Sequence, residues 1–399
     1  MGFDFNHSFD TLEKKALRDL SSSKVKPIDA SKLSFWVEVF TISFSALVII
    51  GVVFSLSSSY ALSNKLYNNP FFIFLRQLLW FGLGLLVMLI TMKVPTSFYS
   101  RYVKFIVLLG IIVGILPFIP GLGKSKGEAI RWVNLGLFSF SSSEVMKLSL
   151  AIYLPVVISR KSDTKNFFTS FLPLFIVTVT FFFIVSLQLD LSNAVLMLGS
   201  ALLVMFLGGI PLRHILITLF TSLVIIFLLS EKFRYIQDRL FAFLDPWSDP
   251  FDKGYHTIQF LKVFSNGVLG TGLGNGIIKE RYLPEPHTDS IFSVIIEETG
   301  LVGSLITIIS LVMYFVSAIN LARLVNDKYK ALLVFSMASL IVIWAIANMM
   351  VATLLIPPTG TNFPFLSYGG TNTVISFVSV GIVYRVFIEA FRESSNKVV

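Results

Sequence analysis

The chain has 399 residues and no cysteine, which excludes disulfides, thiol catalysis and thiolate metal sites. Histidine is scarce. His7, His214, His256 and His287 are scattered and form no HExxH-type pair, so a structural zinc site is not expected. There is no Walker loop: Gly272-Leu273-Gly274-Asn275-Gly276 is not followed by the Lys-Ser/Thr such a loop needs, so nucleotide hydrolysis is not expected to drive this protein. Charge is thin as well. Only 14% of residues are charged, against roughly 25% in a soluble globular protein. No short-period repeat is present, and no alternating pattern of the kind a membrane β-barrel requires. No basic run is interleaved with aromatics, so the net charge of +9 does not read as nucleic-acid binding.

What the sequence has is apolar length. Hydrophobic residues make up 55% of the chain, in runs close to the ~20 residues that cross a bilayer as a helix. Ten runs stand out, at 34–56, 70–92, 102–122, 144–159, 166–187, 192–210, 212–230, 289–322, 331–356 and 369–392. Unpaired backbone groups are too costly in lipid, so each run is expected to be helical. The expectation is an all-α polytopic membrane protein with one large extracytoplasmic loop, 231–288, between the seventh and eighth helices. Residues 1–33 form a polar N-terminal tail, 34–392 the membrane domain and 393–399 a short C-terminal tail. The N-terminal tail lacks the apolar core of a signal peptide, and disorder is its favoured reading, although Phe3, Phe5 and Phe9 could dock on a partner.

Lys and Arg set the orientation. Lys14, Lys15, Arg18, Lys24, Lys26 and Lys32 precede the first run, and alternate connections carry Lys93, Arg101, Lys104, Arg160, Lys161, Lys165, Arg213, Arg323, Lys328 and Lys330. The short connections of the other set carry only Lys65, Lys124, Lys126 and Arg131. The expectation is that both termini are cytoplasmic and that the chain lies in the cytoplasmic (inner) membrane. The net positive charge then reads as topology and contact with anionic membrane lipid.

Several polar groups sit where lipid penalises them. They are Arg76 and Gln77, Glu144 and Lys147, Gln188, Asp190 and Asn193, Glu297 and Glu298, and Asn348. Intramembrane ions usually face a bundle interior or a wet cavity, and often pair. Glu144 and Lys147 are three apart, so they share a helix face and could pair with each other. Asp289 begins the eighth run, at the end of Tyr282-Leu283-Pro284-Glu285-Pro286-His287-Thr288-Asp289. Local chemistry offers helix capping for it; a carboxylate kept at a membrane boundary offers catalysis. Of these, Glu144, Lys147, Asp190, Asp289 and Glu297 are expected to lie, with the Gly- and Pro-rich stretch 357–370, toward the outer half of the membrane and to form a pocket there, with Arg76 and Asn348 as exceptions. The long loop is expected to roof it, with short amphipathic helices at 241–244 and 258–264. A ligand for such a pocket has a polar part and a lipid part.

The motifs of the long loop resemble a known family. Phe241-Ala242-Phe243-Leu244-Asp245-Pro246-Trp247-Ser248-Asp249-Pro250, Gly254-Tyr255, Gly272-Leu273-Gly274-Asn275, Tyr282-Leu283-Pro284-Glu285 and His287-Thr288-Asp289 are similar to the large outer loop of the SEDS proteins. These are the FtsW, RodA and SpoVE cell-wall polymerases. Glu297-Glu298 before Gly300, Ser367-Tyr368-Gly369-Gly370, Lys126 to Trp132 and Ser143 to Lys147 resemble further signatures of that family, in its order. Departures exist. The family's Gln-Pro-Asp is Gln188-Leu189-Asp190 here, the Phe after His-Thr-Asp is Ser290, and Thr371-Asn372 follows Ser-Tyr-Gly-Gly. Asp245-Pro246-Trp247 and Tyr-Leu-Pro-Glu look more like the division branch than the elongation branch.

The resemblance implies a peptidoglycan glycosyltransferase. Its substrate would be lipid II, the undecaprenyl-pyrophosphate-linked disaccharide-pentapeptide, joined at the outer leaflet with inversion. Asp289 would be the general base for the acceptor hydroxyl. Arg131, Lys147, Arg239, Lys279 and Arg281 are the basic groups available to the leaving diphosphate. Glu285, His287 and Thr288 would shape the site and Glu297 or Glu298 orient it. Ser367 joins the substrate-binding set, with close helix packing as its other reading. No protein metal site is expected, although Mg²⁺ could bridge the diphosphate. A class B penicillin-binding protein and other division or elongation proteins are the implied partners. A lipid II transporter, or a division scaffold, is the competing reading.

Overall fold

A computed structural model describes residues 29–126, 129–136, 139–161, 163–229, 240–252, 254–264 and 268–395. The expected N-terminal tail up to residue 28, and Arg239, lie outside the described residues.

The described residues open with α1 (Ala30–Tyr67), which Asp29 caps by accepting from the amides of Ser31 at 3.1 Å and Lys32 at 3.3 Å. It ends at Asn68, whose left-handed backbone (φ 53°) turns the chain. Then follow α2 (Phe72–Thr91), the short α3 (Thr96–Arg101) and α4 (Val103–Ile115). After α4 comes a small antiparallel sheet, β1 (Gly123–Lys126), β2 (Ala129–Asn134) and β3 (Ser139–Ser141), in that spatial order. The remaining helices are α5 (Ser142–Ser159), α6 (Leu172–Leu187), α7 (Leu191–Leu207), α8 (Leu212–Leu228), α9 (Tyr255–Val263), α10 (Ile277–Arg281), α11 (Ile291–Leu324), α12 (Lys328–Ala352) and α13 (Gly370–Ser395).

Among the described residues seven helices are long and apolar enough to span a membrane, and α4, α7 and α8 are shorter apolar helices. Together they account for the ten apolar runs. The helices turn large side chains outward: Leu79, Phe220 and Phe227 are 73%, 69% and 76% exposed. Such a surface needs hydrocarbon as its solvent. Polar atoms are turned inward instead, with Gln77, Gln188, Glu297, Glu298 and Asn348 fully buried.

Three departures from the sequence reading matter. The sheet was not expected, because its strands of three to six residues carry no clear apolar alternation. The break between α6 and α7 forms without a proline, through Leu189 in a left-handed conformation (φ 57°). Of the two expected amphipathic helices, residues 240–244 form a short helical turn and α9 covers most of the second.

At the end of the bundle opposite the long loop, Glu389 ties three helices together. It accepts from the amide of Thr96 at 2.9 Å and its hydroxyl at 2.6 Å, and pairs with Arg385 at 2.8 Å and Lys330 at 3.1 Å.

Candidate active site

A cavity of about 710 Å³ opens at the loop end of the bundle. Arg76, Arg131, Asp190, Glu285, His287, Thr288, Asp289, Asn362 and Tyr368 line it, with Trp80 and Trp132 as apolar walls. Five stretches remote in sequence thus converge: α2, the sheet, the α6–α7 turn, the segment before α11 and the segment before α13.

Asp289 is not the cap of α11. The cap position belongs to Ser290, which makes no side-chain capping bond. The Asp289 carboxylate turns instead toward Gly360 and Arg131. A Cβ built on Gly360 would lie 3.1 Å from Asp289 Oδ2 and 3.8 Å from Arg131 Nη2, so the bare backbone there leaves room between the two charges.

The backbone under Asp289 is gripped at three consecutive carbonyls. The amide of Tyr368 donates to His287 at 2.7 Å, the hydroxyl of Ser367 to Thr288 at 2.5 Å, and Asn348 Nδ2 to Asp289 at 2.7 Å. Asn348 also donates to the carbonyl of Thr361 at 2.7 Å, and the amide of Phe363 donates to Ser367 Oγ at 2.8 Å. Glu285 holds a left-handed backbone (φ 47°). Its carbonyl accepts from the Thr288 amide at 3.1 Å, and its carboxylate from the Thr288 hydroxyl at 3.1 Å. Sparsely populated conformations such as those of Leu189 and Glu285, both at the cavity wall, persist only where surrounding contacts enforce them.

Arg131 is equally fixed. Nη1 donates to Asp190 Oδ1 at 2.9 Å. The Ser142 hydroxyl donates to the Arg131 carbonyl at 3.1 Å, and the Ile130 amide donates to the Gln188 carbonyl at 2.9 Å. The charge of Asp190 raises the Arg131 pKa further above its ordinary value; burial opposes this and Asp289 adds to it. Asp190 also accepts from Asn193 Nδ2, at 3.0 and 2.9 Å, and from the Ser143 hydroxyl at 3.3 Å, and Asn193 Oδ1 accepts from Trp344 Nε1 at 2.7 Å. Tyr368 carries a phenol whose pKa burial raises and Arg76 lowers.

The expected site residues divide. Arg131, Glu285, His287, Thr288 and Asp289 come together in the cavity. Ser367 is fully buried beneath it and acts as a strut. Lys147 lies deeper: it pairs with Glu144 at 2.6 Å and sits 4.5 Å from the ring centre of Trp344, with both charges almost completely buried. The structure thus sets Lys147 apart from the cavity and makes the intrahelical pair its main engagement. Glu297 does not reach Asp289 through any of these contacts; its carboxylate accepts from the amides of Ile278 at 2.6 Å and Lys279 at 2.9 Å. Lys279 pairs with Glu298 and so is committed elsewhere. The sequence reading had not assigned roles to Asn348, Trp80 or Asn362. A lone asparagine inside an apolar run was the only signal for Asn348.

Comparison with known proteins places this architecture in a family of multi-pass membrane proteins. The chain belongs to the FtsW/RodA/SpoVE family, described as cell cycle protein, whose model matches residues 37–391. It is similar to the probable peptidoglycan glycosyltransferase FtsW of Marinomonas mediterranea, at 33% identity over 94% of this chain and 93% of that one. It is also similar to the probable peptidoglycan glycosyltransferase FtsW of Geobacter sulfurreducens, at 35% identity over 86% and 92%. The fold matches a chain of a solved peptidoglycan synthase complex that coordinates polymerization and crosslinking, with a TM-score of 0.71, 23% identity, and 88% and 98% coverage. It also matches the rod shape determining protein RodA of Thermus thermophilus, with a TM-score of 0.64, 21% identity, and 88% and 96% coverage.

Proposed function

We propose that this chain is a peptidoglycan glycosyltransferase that polymerises lipid II at the outer face of the cytoplasmic membrane, with both termini in the cytoplasm, and that it serves septal wall synthesis. The relatives named FtsW support the activity and favour the division role over a RodA-like elongation role. The observation that carries the reading is the Asp289 carboxylate held beside Arg131 in a cavity at the loop end.

The chemistry follows from what each group can do. Asp289 takes the proton from the acceptor sugar hydroxyl as its oxygen attacks the anomeric carbon of the donor. The anomeric carbon–oxygen bond breaks, and its electron pair leaves on the lipid diphosphate. Arg131, permanently charged and braced by Asp190, offsets that developing charge. Bracing matters because a fixed donor does not need to reorganise during the reaction. Glu285 and His287 line the same cavity beside Asp289. Among the described residues no group of three or more acidic or histidine side chains could hold a metal. Glu285 and Asp289 are still a donor set that Mg²⁺ accepts alongside phosphate oxygens. Such an ion would offset further diphosphate charge. A class B penicillin-binding protein would supply crosslinking to the strands made here.

The test is a gel assay with fluorescent lipid II, purified wild type and Asp289→Asn, with and without the transpeptidase partner. A glycan ladder from wild type alone supports the reading. A ladder from Asp289→Asn of equal strength would remove Asp289 as base. No ladder from either protein, partner present, would favour lipid transport or scaffolding.

A further inference from the structure

A second heavily constrained part of the long loop lies outside the cavity. It lies where α11 is broken at Gly300, whose backbone (φ 57°, ψ −142°) is not helical. In an intact helix the Leu301 amide would donate to the Glu297 carbonyl. Here that amide donates to Val268 of the loop at 2.8 Å. The carbonyls of Glu297 and Glu298 accept instead from the loop amides of Thr271 and Gly272, each at 2.9 Å. A Cβ at Gly300 would collide with the Val268 carbonyl, so the residue at the break must be glycine for the loop to dock.

The side chains of the same two residues continue the attachment. Each Glu297 oxygen takes one amide at the start of α10, Oε1 from Ile278 and Oε2 from Lys279. Glu298 pairs with Lys279 in a site with almost no solvent access. Ser57 of α1 completes it: its hydroxyl lies 2.6 Å from Glu298 Oε1 and 2.7 Å from Lys279 Nζ. Two carboxylates in the membrane domain thus hold the loop.

We infer that Glu297, Glu298 and Lys279 are positioning residues, forming a latch that pins the loop to α1 and α11 and thereby fixes the segment carrying Glu285 and Asp289. The inference rests on the polymerase reading for its functional consequence but not for its geometry. The segment from Lys279 to Asp289 is a short closed loop. One end is fastened at Lys279, and the other runs into the helix that supplies the fastening. Releasing the latch frees one end, and the cavity wall loses its register against Arg131. The chemical step suffers more than substrate capture, because capture draws on Arg131 and other walls that the latch does not hold.

The absence of native cysteine makes the test clean. Spin labels on exposed positions, Glu280→Cys on the loop and Lys93→Cys at the opposite end of the bundle, report the loop's distance distribution by pulsed electron resonance. Wild type should give one narrow distribution, Glu297→Ala a broad one, and Glu297→Gln, which keeps one acceptor, an intermediate one. In the lipid II assay Glu297→Ala should lower kcat about 10- to 100-fold with KM held within about twofold. Lys279→Glu and Glu298→Lys should each broaden the distribution, and the double exchange should narrow it again, which separates the pair from a general folding defect. A narrow distribution in Glu297→Ala, or a broad one with full kcat, overturns the inference. Failure of wild type to polymerise would count against the polymerase reading alone, since the distance measurement still reads the latch.

Discussion

Asn348 donates its amide to the carbonyl of Asp289, 2.7 Å away, from near the C-terminal end of an apolar helix. With a second bond to Thr361, it joins the segments before α11 and before α13, which both line the cavity. An asparagine buried in a span is justified by such a bridge, because both carbonyls would otherwise be desolvated and unpaired.

Asn348→Leu keeps the shape and removes both donors. Each stranded carbonyl is expected to cost about 1–3 kcal/mol, and kcat for polymerisation should fall with it. Thermal unfolding in detergent and the gel assay check this together. An unchanged melting temperature with full activity would show that the bridge carries no strain-bearing role.

Arg131→Lys preserves the charge but not the fork that lets one group brace against Asp190 while facing Asp289. Loss of about 10²-fold in kcat/KM is expected, by comparison with deletion of one transition-state donor elsewhere. Titration of lipid II against the variant decides it. Activity within about twofold of wild type would mean that a point charge is enough.

Glu144 and Lys147 are bonded to each other at 2.6 Å and nearly devoid of solvent. Removing one partner leaves an uncompensated buried charge, so Glu144→Ala or Lys147→Ala should destabilise by about 3–5 kcal/mol. The double change Glu144→Leu with Lys147→Met should recover most of that stability. If either single variant unfolds like wild type yet fails to polymerise, Lys147 belongs to the chemistry after all.

Chelation gives a separate test of the diphosphate. With few carboxylates at the cavity, any Mg²⁺ arrives with the substrate. EDTA is expected to slow polymerisation about tenfold, mainly through KM, and added Mg²⁺ to restore it. Turnover indifferent to EDTA would leave Arg131 as the main counter-charge.

The helical framework was legible because lipid leaves the backbone so few options: apolar runs of the right length become helices. The Glu144–Lys147 pair was legible for a similar reason, since residues three apart on a helix must be neighbours. The Arg131–Asp190 pair was not, because 59 positions and a β-sheet separate the two. Nor could spacing reveal that Glu297 faces the loop rather than Asp289. Two adjacent glutamates on a helix point in different directions, and the partner of Glu297 is a backbone segment whose sequence carries no sign of it. Asp289 is found by its motif and its place at a boundary, while only the structure shows that the cap position falls on its neighbour Ser290.

The Glu389 cluster, set against the cavity, gives the molecule a polarity of its own. Below the cavity lie the buried Trp344 and the Glu144–Lys147 pair, and the far-end ion network lines an opening of its own. A buried indole and a desolvated ion pair thus stand between two wet ends, which confines the chemistry proposed for Asp289 to the loop side.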